Sequence, residues 1–88
     1  MRKSGLRLEQ EILRALADGE ASLRELETRL GTNHNTVRAH CSVLEFFGLI
    51  GLTRHARSDA NGRPFTTAQL TPLGRKVVHE RDLLRLVK

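Results

Sequence analysis

The sequence predicts a mainly α fold carrying one small β-hairpin, and three observations predict it. Apolar residues recur at helical spacing in three successive stretches between residues 8 and 48. An Asn61-Gly62 pair then separates two segments with strand-like composition. Finally, Thr71-Pro72 reads as a helix cap followed by proline at the first helical position. With 88 residues, the chain is expected to be a single domain spanning 1–88, near the lower limit for a self-sufficient core. Its aromatic residues are Phe46, Phe47 and Phe65 alone, so the core must be built from Leu, Ile and Val. A core that small gains from oligomerisation.

The first helix carries Leu8, Ile12, Leu13 and Leu16 on one face, with Ala15 and Ala17 as good helix formers, and Asp18-Gly19 closes it in a turn. Ser22 with Glu25 three residues on matches a capping box, in which each side chain satisfies an amide that the helix start leaves unpaired. The short helix that follows turns Leu23, Leu26 and Leu30 inward, and Gly31 stops it.

Residues 31–40, GTNHNTVRAH, are unusually polar, with only Val37 and Ala39 suited to a core. Asn33 is a good N-cap. Beyond it, Val37, Cys41, Leu44 and Gly48 follow at steps of four, three and four, which predicts a helix over about 34–47 with those residues facing the core. Ile50, Leu52 and Thr53 then lead into Arg54-His55-Ala56-Arg57, and Pro64 to Leu70 reads as the returning strand. Leu73, Val77, Leu84 and Val87 mark the last helix.

Charge is unevenly spread along this order. Residues 1–30 are neutral overall, whereas residues 31–76 hold Arg38, Arg54, Arg57, Arg63, Arg75 and Lys76 against only Glu45 and Asp59. A basic excess that begins at the polar stretch suits a polyanion such as nucleic acid. No apolar run approaches the ~20 residues of a membrane span, and no signal-peptide pattern follows Met1, so a soluble intracellular protein is expected. The single cysteine, Cys41, excludes a disulfide scaffold and paired-cysteine zinc sites.

The order is therefore helix, short helix, a three-residue turn containing glycine, helix, hairpin, helix. The turn Gly31-Thr32-Asn33 has the length and composition of a helix-turn-helix, here about 22–47, followed by a hairpin over about 49–70 and a C-terminal helix over about 72–87. Leu30-Gly31, Thr36-Val37, Leu44-Glu45 and Gly48-Leu49-Ile50 together resemble the "LG…TV…LE..GLI" pattern of winged helix-turn-helix transcriptional regulators of the MarR/ArsR type. Downstream, Leu70-Thr71-Pro72-Leu73-Gly74 resembles the "LTPKG" that ends the wing and starts the last helix in that family. The resemblance extends over about residues 8–80, nearly the whole chain. It implies a three-helix core plus C-terminal helix, a recognition helix in the major groove, a hairpin wing on the flanking backbone, and, as in many members, a dimer.

The residues themselves fit that expectation. If Val37, Cys41 and Leu44 face inward, Asn35, Arg38, Ala39 and Ser42 face outward. Arginine bonds guanine bidentately, asparagine does the same with adenine, and a small alanine allows approach to a thymine methyl. Thr32, Asn33, His34 and Thr36 surround the helix start, where free amides attract phosphate. Arg54, Arg57 and Arg63 flank the hairpin tip. Each has a plainer alternative: Arg38 as a solubilising charge, Asn35 and Asn33 as helix caps, and the wing arginines as guards against edge pairing.

His34, His40, Cys41, His55 and His79 raise the possibility of metal sensing, which some members of that family perform. They are scattered, Cys41 points to the core and His40 sits at the core's edge, so no metal site or other cofactor is expected. Phe46 should be exposed, packing on the wing or on a second subunit, and Phe47 should flank the core. Leu83, Leu84, Leu86 and Val87 give the last helix more apolar surface than one face needs, part for the first helix and part for a dimer interface.

The expected function is thus a sequence-specific, double-stranded-DNA-binding transcriptional regulator, a cytoplasmic homodimer associated with the nucleoid. Two other classes compete: a winged helix used for protein–protein contact, and a non-specific or RNA-binding architectural protein. No paired carboxylates, Ser/His/Asp order or phosphate-cradling loop suggests an enzyme. With 88 residues almost filled by the fold, no separate domain for a small-molecule ligand is expected.

Overall fold

The computed structural model describes residues 5–56 and 62–87, with side chains described as far as Glu80. Its elements run α1 (Gly5–Ala17), β1 (Ala21–Ser22), α2 (Leu23–Leu30), α3 (His34–Phe46), β2 (Ile50–His55), β3 (Phe65–Leu70) and α4 (Pro72–Val87).

The local signals act as the sequence predicts. The Glu25 N–H donates to Ser22 Oγ at 3.0 Å, and the Ser22 N–H donates to Glu25 Oε1 at 3.3 Å, so the capping box is complete. Gly31 closes α2 at φ 64°, in the left-handed region where a side chain is unfavourable, and its N–H bonds the Glu27 carbonyl. Asn33 starts α3, accepting from the Thr36 N–H at 2.8 Å. Thr71 caps α4, its Oγ1 accepting from the Gly74 N–H at 3.1 Å while donating to the Gly48 carbonyl.

The strands form one antiparallel sheet in the order β1-β3-β2. Ile50 faces Leu70, Leu52 faces Ala68 and Arg54 faces Thr66 across β2 and β3, while Ala21 of β1 pairs with Ala68. Ala21, Ile50, Ala68 and Leu70 join Ile12, Leu13, Leu16, Leu23, Leu26, Val37, Cys41 and Leu44 in the core. The hairpin therefore starts inside the core and leaves it at Arg54, which is exposed. On the opposite sheet face, the His55 ring stacks on Phe65 at 4.4 Å between centroids. His55 Nε2 lies 3.0 Å from Thr67 Oγ1, whose hydroxyl donates to Glu20 Oε2 at 2.9 Å. That arrangement ties β2 through β3 to the residue before β1.

Four expectations change. The strand β1 was not anticipated, because two residues carry no period to detect. Gly48 is exposed rather than in the core, since α3 stops at Phe46 and the chain turns through Gly48 at φ 75°. Phe47 is 62% exposed, lying beyond the last helical turn and packing edge-on against Phe46. Leu73 is also exposed, because α4 sets Gly74 and Val78 against the core instead. The Asn61 half of the predicted turn lies outside the described residues.

Candidate nucleic-acid interface

α3 is divided lengthwise. Val37, Cys41 and Leu44 are at most 3% exposed and fix one side in the core. Asn35, Arg38, Ala39 and Ser42 are exposed on the other, as their spacing requires. Among the described residues, the side chains of Asn35, Arg38 and Ser42 have no hydrogen-bond or ion-pair partner. They form a polar surface free to bond an external ligand.

The residues beside that surface are held. Asn33 spends its Oδ1 on the Thr36 amide, and Thr36 itself is half-buried. Thr32 is half-buried too, its N–H bonded to the Glu27 carbonyl at 3.2 Å. His34 Nδ1 lies 2.9 Å from Glu27 Oε2, tying the first residue of α3 back to α2. His40 Nδ1 lies 2.8 Å from Glu9 Oε2, tying the middle of α3 to α1. Glu27 and Glu9 were not foreseen: each reaches its histidine across a turn or between helices, where sequence spacing carries no contact information.

On the wing, Arg54 and Arg63 are both exposed, and Arg63 takes part in an interaction within the protein. Arg57 lies outside the described residues, as do the side chains of Leu83, Leu84, Leu86 and Val87. Arg54, on β2, and Arg63, just before β3, therefore belong to opposite arms of one hairpin.

Cys41 is fully buried between α3 and the core, and burial pushes its thiol up to about 11. Such a thiol is a neutral packing group at physiological pH, neither thiolate ligand nor ready nucleophile. Among the described residues, no three His, Cys, Asp or Glu side chains gather as a metal ion would require. Nor, among them, is any helix long and apolar enough to cross a membrane.

Helices α2 and α3 joined by a three-residue turn, an antiparallel hairpin returning to the core and a closing helix define the winged helix-turn-helix fold of transcriptional regulators. Three solved structures show the likeness. BldR from Sulfolobus solfataricus, a transcriptional regulator, is 28% identical and superposes with a TM-score of 0.72 over 92% of this chain and 56% of its own. A transcriptional regulator homologue from Pyrococcus horikoshii is 22% identical, with a TM-score of 0.79 over 92% of this chain and 79% of its own. PadR from Bacillus subtilis, solved in complex with operator DNA, is 21% identical, with a TM-score of 0.71 over 83% of this chain and 45% of its own. This chain thus spans about half the length of BldR and PadR. No protein-family model and no curated protein sequence matches it.

Proposed function

We propose that this chain is a sequence-specific transcriptional regulator that binds double-stranded DNA as a homodimer. In this reading α3 lies in the major groove and the wing follows the flanking backbone. One observation carries it: the outer face of α3 presents Asn35, Arg38 and Ser42 without partners among the described residues, while neighbouring polar groups are tied down.

Asn35 and Arg38 supply base readout, with Ala39 and Ser42 admitting close approach. Thr32, Asn33, His34 and Thr36 at the helix start, with Arg54, Arg57 and Arg63 on the wing, supply phosphate contact and hence most of the affinity. Leu83, Leu84, Leu86 and Val87 of α4 join the two subunits, and the dimer works in the cytoplasm on the nucleoid. The structural likeness to regulators, and the operator DNA bound by PadR, support the reading.

The test is a titration of random duplexes and of duplexes selected from a random pool, over a salt series. Selected duplexes should bind ~10³-fold or more tighter than random ones. Equal affinity for all duplexes refutes sequence-specific regulation. A sedimentation measurement checks the dimer, and a monomer at micromolar concentration counts against it. The exposed Phe46–Phe47 pair favours one second reading, a protein-contact module, which failure to retain any duplex would support.

A further inference from the structure

We propose that DNA binding by this chain takes up a proton at His34, and that Glu27 is the positioning residue that makes the uptake possible. The inference rests on the DNA-binding reading above. Three observations carry it: the 2.9 Å contact between His34 Nδ1 and Glu27 Oε2, the open remainder of the imidazole, and the place of His34 beside the unpartnered face of α3.

A carboxylate accepts hydrogen bonds and donates none, so the ring nitrogen facing Glu27 carries the hydrogen. This holds for the neutral imidazole and for the imidazolium alike. Nε2 then decides the charge state. In the neutral ring it bears a lone pair; in the imidazolium it bears an N–H. The His34 side chain is 54% exposed, and Nε2 has no partner among the described residues. A phosphate oxygen approaching a lone pair is repelled, whereas one approaching N–H accepts a charge-assisted hydrogen bond. Contact with phosphate therefore selects the imidazolium, and the proton comes from solvent. Glu27 both fixes the ring's orientation and balances the new charge.

The groups around His34 are consistent with this role. From α2 comes Glu27, and on α3 itself Arg38 stands one turn later. α1 meets α3 further on, where Glu9 is matched to His40 rather than to His34.

The experiment uses a duplex recovered by selection from a random pool, its Kd measured from about pH 6 to about pH 8, the window in which histidine changes charge. One linked proton changes affinity by at most about tenfold per pH unit, and we expect a total weakening of about five- to tenfold across the window. His34→Gln should flatten the profile while keeping the far-UV circular dichroism spectrum of the native chain. Glu27→Gln, whose amide oxygen still accepts from Nδ1, should move the midpoint to lower pH and recover affinity at the acidic end. A purely structural tie between α2 and α3 would instead weaken binding equally at every pH. A flat profile for the native chain, or an unaltered one for His34→Gln, overturns the inference while leaving DNA binding intact. A chain that retains no duplex at any pH overturns both.

Discussion

Replacing Gly74 by alanine in the first turns of α4 sets two rules against each other. By helix propensity alone the change should stabilise the protein by about 0.5–1 kcal/mol, because glycine loses more freedom on folding. The packing predicts the opposite sign. Gly74 is buried, and a Cβ built there falls inside the contact distance of the Leu49 carbonyl oxygen, with the Leu49 carbonyl carbon at 3.0 Å and Leu70 Cδ2 at 3.1 Å. The obstacle is backbone, and it is not free to retreat, since the Leu49 carbonyl accepts from the Thr71 N–H at 3.1 Å. Overpacking costs about 1–3 kcal/mol. Weakening the Thr71 bond adds about 0.5–1.5 kcal/mol. Subtracting the propensity gain leaves a net loss of roughly 0.5–4 kcal/mol, centred near 2, and a loss of about 2 kcal/mol in a domain of this size lowers Tm by roughly 8–16 °C. Gly51→Ala is the internal comparison: its Cβ meets Gln69 Nε2 at 2.8 Å, the far end of a flexible side chain, and should cost less. Thermal unfolding of both variants at one protein concentration, followed by circular dichroism, measures the difference. A Gly74→Ala protein as stable as the native chain would refute the packing of α4 against the α3–β2 connection.

Three further outcomes are expected. Asn33→Ala removes the acceptor for the Thr36 amide and should lower stability by about 1 kcal/mol in urea unfolding, while Asn33→Asp should restore most of it. Arg38→Ala should weaken a selected duplex more than random ones, by about 1–3 kcal/mol, and Arg54→Ala should weaken all duplexes alike and reduce the salt slope by ~1; equal loss for Arg38→Ala would assign it to phosphate. Cys41, its thiol pushed up to about 11 by burial, contributes stability that is present below the ordinary thiol range of about 8.5 and lost as pH rises toward the folded value. Alkaline unfolding of Cys41→Ala should accordingly show a shallower fall over that window, and an aromatic disulfide reagent should label the native thiol at neutral pH only as the protein unfolds.

The helices were legible because caps and stripes are local. Ser22 with Glu25, Gly31, Asn33, and Thr71 with Pro72 each act within four residues, so their spacing alone predicts the geometry seen in their hydrogen bonds. The exposed face of α3 followed from the same arithmetic once Val37, Cys41 and Leu44 were assigned to the core. What failed lay at ends and between elements. Gly48 and Phe47 continue the helical count, but α3 has already stopped, and a periodicity argument does not know where its helix ends. Leu73 has an apolar side chain and Gly74 has none. Yet it is Gly74 that faces the core, because the close approach of Leu49 leaves no room for anything larger. Two of the polar ties are strongly non-local: Glu9 and His40 are 31 residues apart, and Glu20 and Thr67 are 47 apart.

Those non-local ties bear on how α3 is aimed. The buried stripe of α3, Val37, Cys41 and Leu44, fixes which face of the helix meets the core, because turning it away would expose apolar surface. Rotation by one residue, about 100°, would put Ala39 where Arg38 now stands. Two directional bonds act against it at different heights, His34 to Glu27 on α2 and His40 to Glu9 on α1. They reach to different neighbouring helices, and a rotation of this size breaks both. Each uses a side chain adjacent to the outer face and consumes none of Asn35, Arg38 or Ser42. The polar groups of α3 therefore divide into those bonded to neighbouring helices and those left open on the outer face, and His34, which is bonded through Nδ1, keeps its second ring nitrogen open.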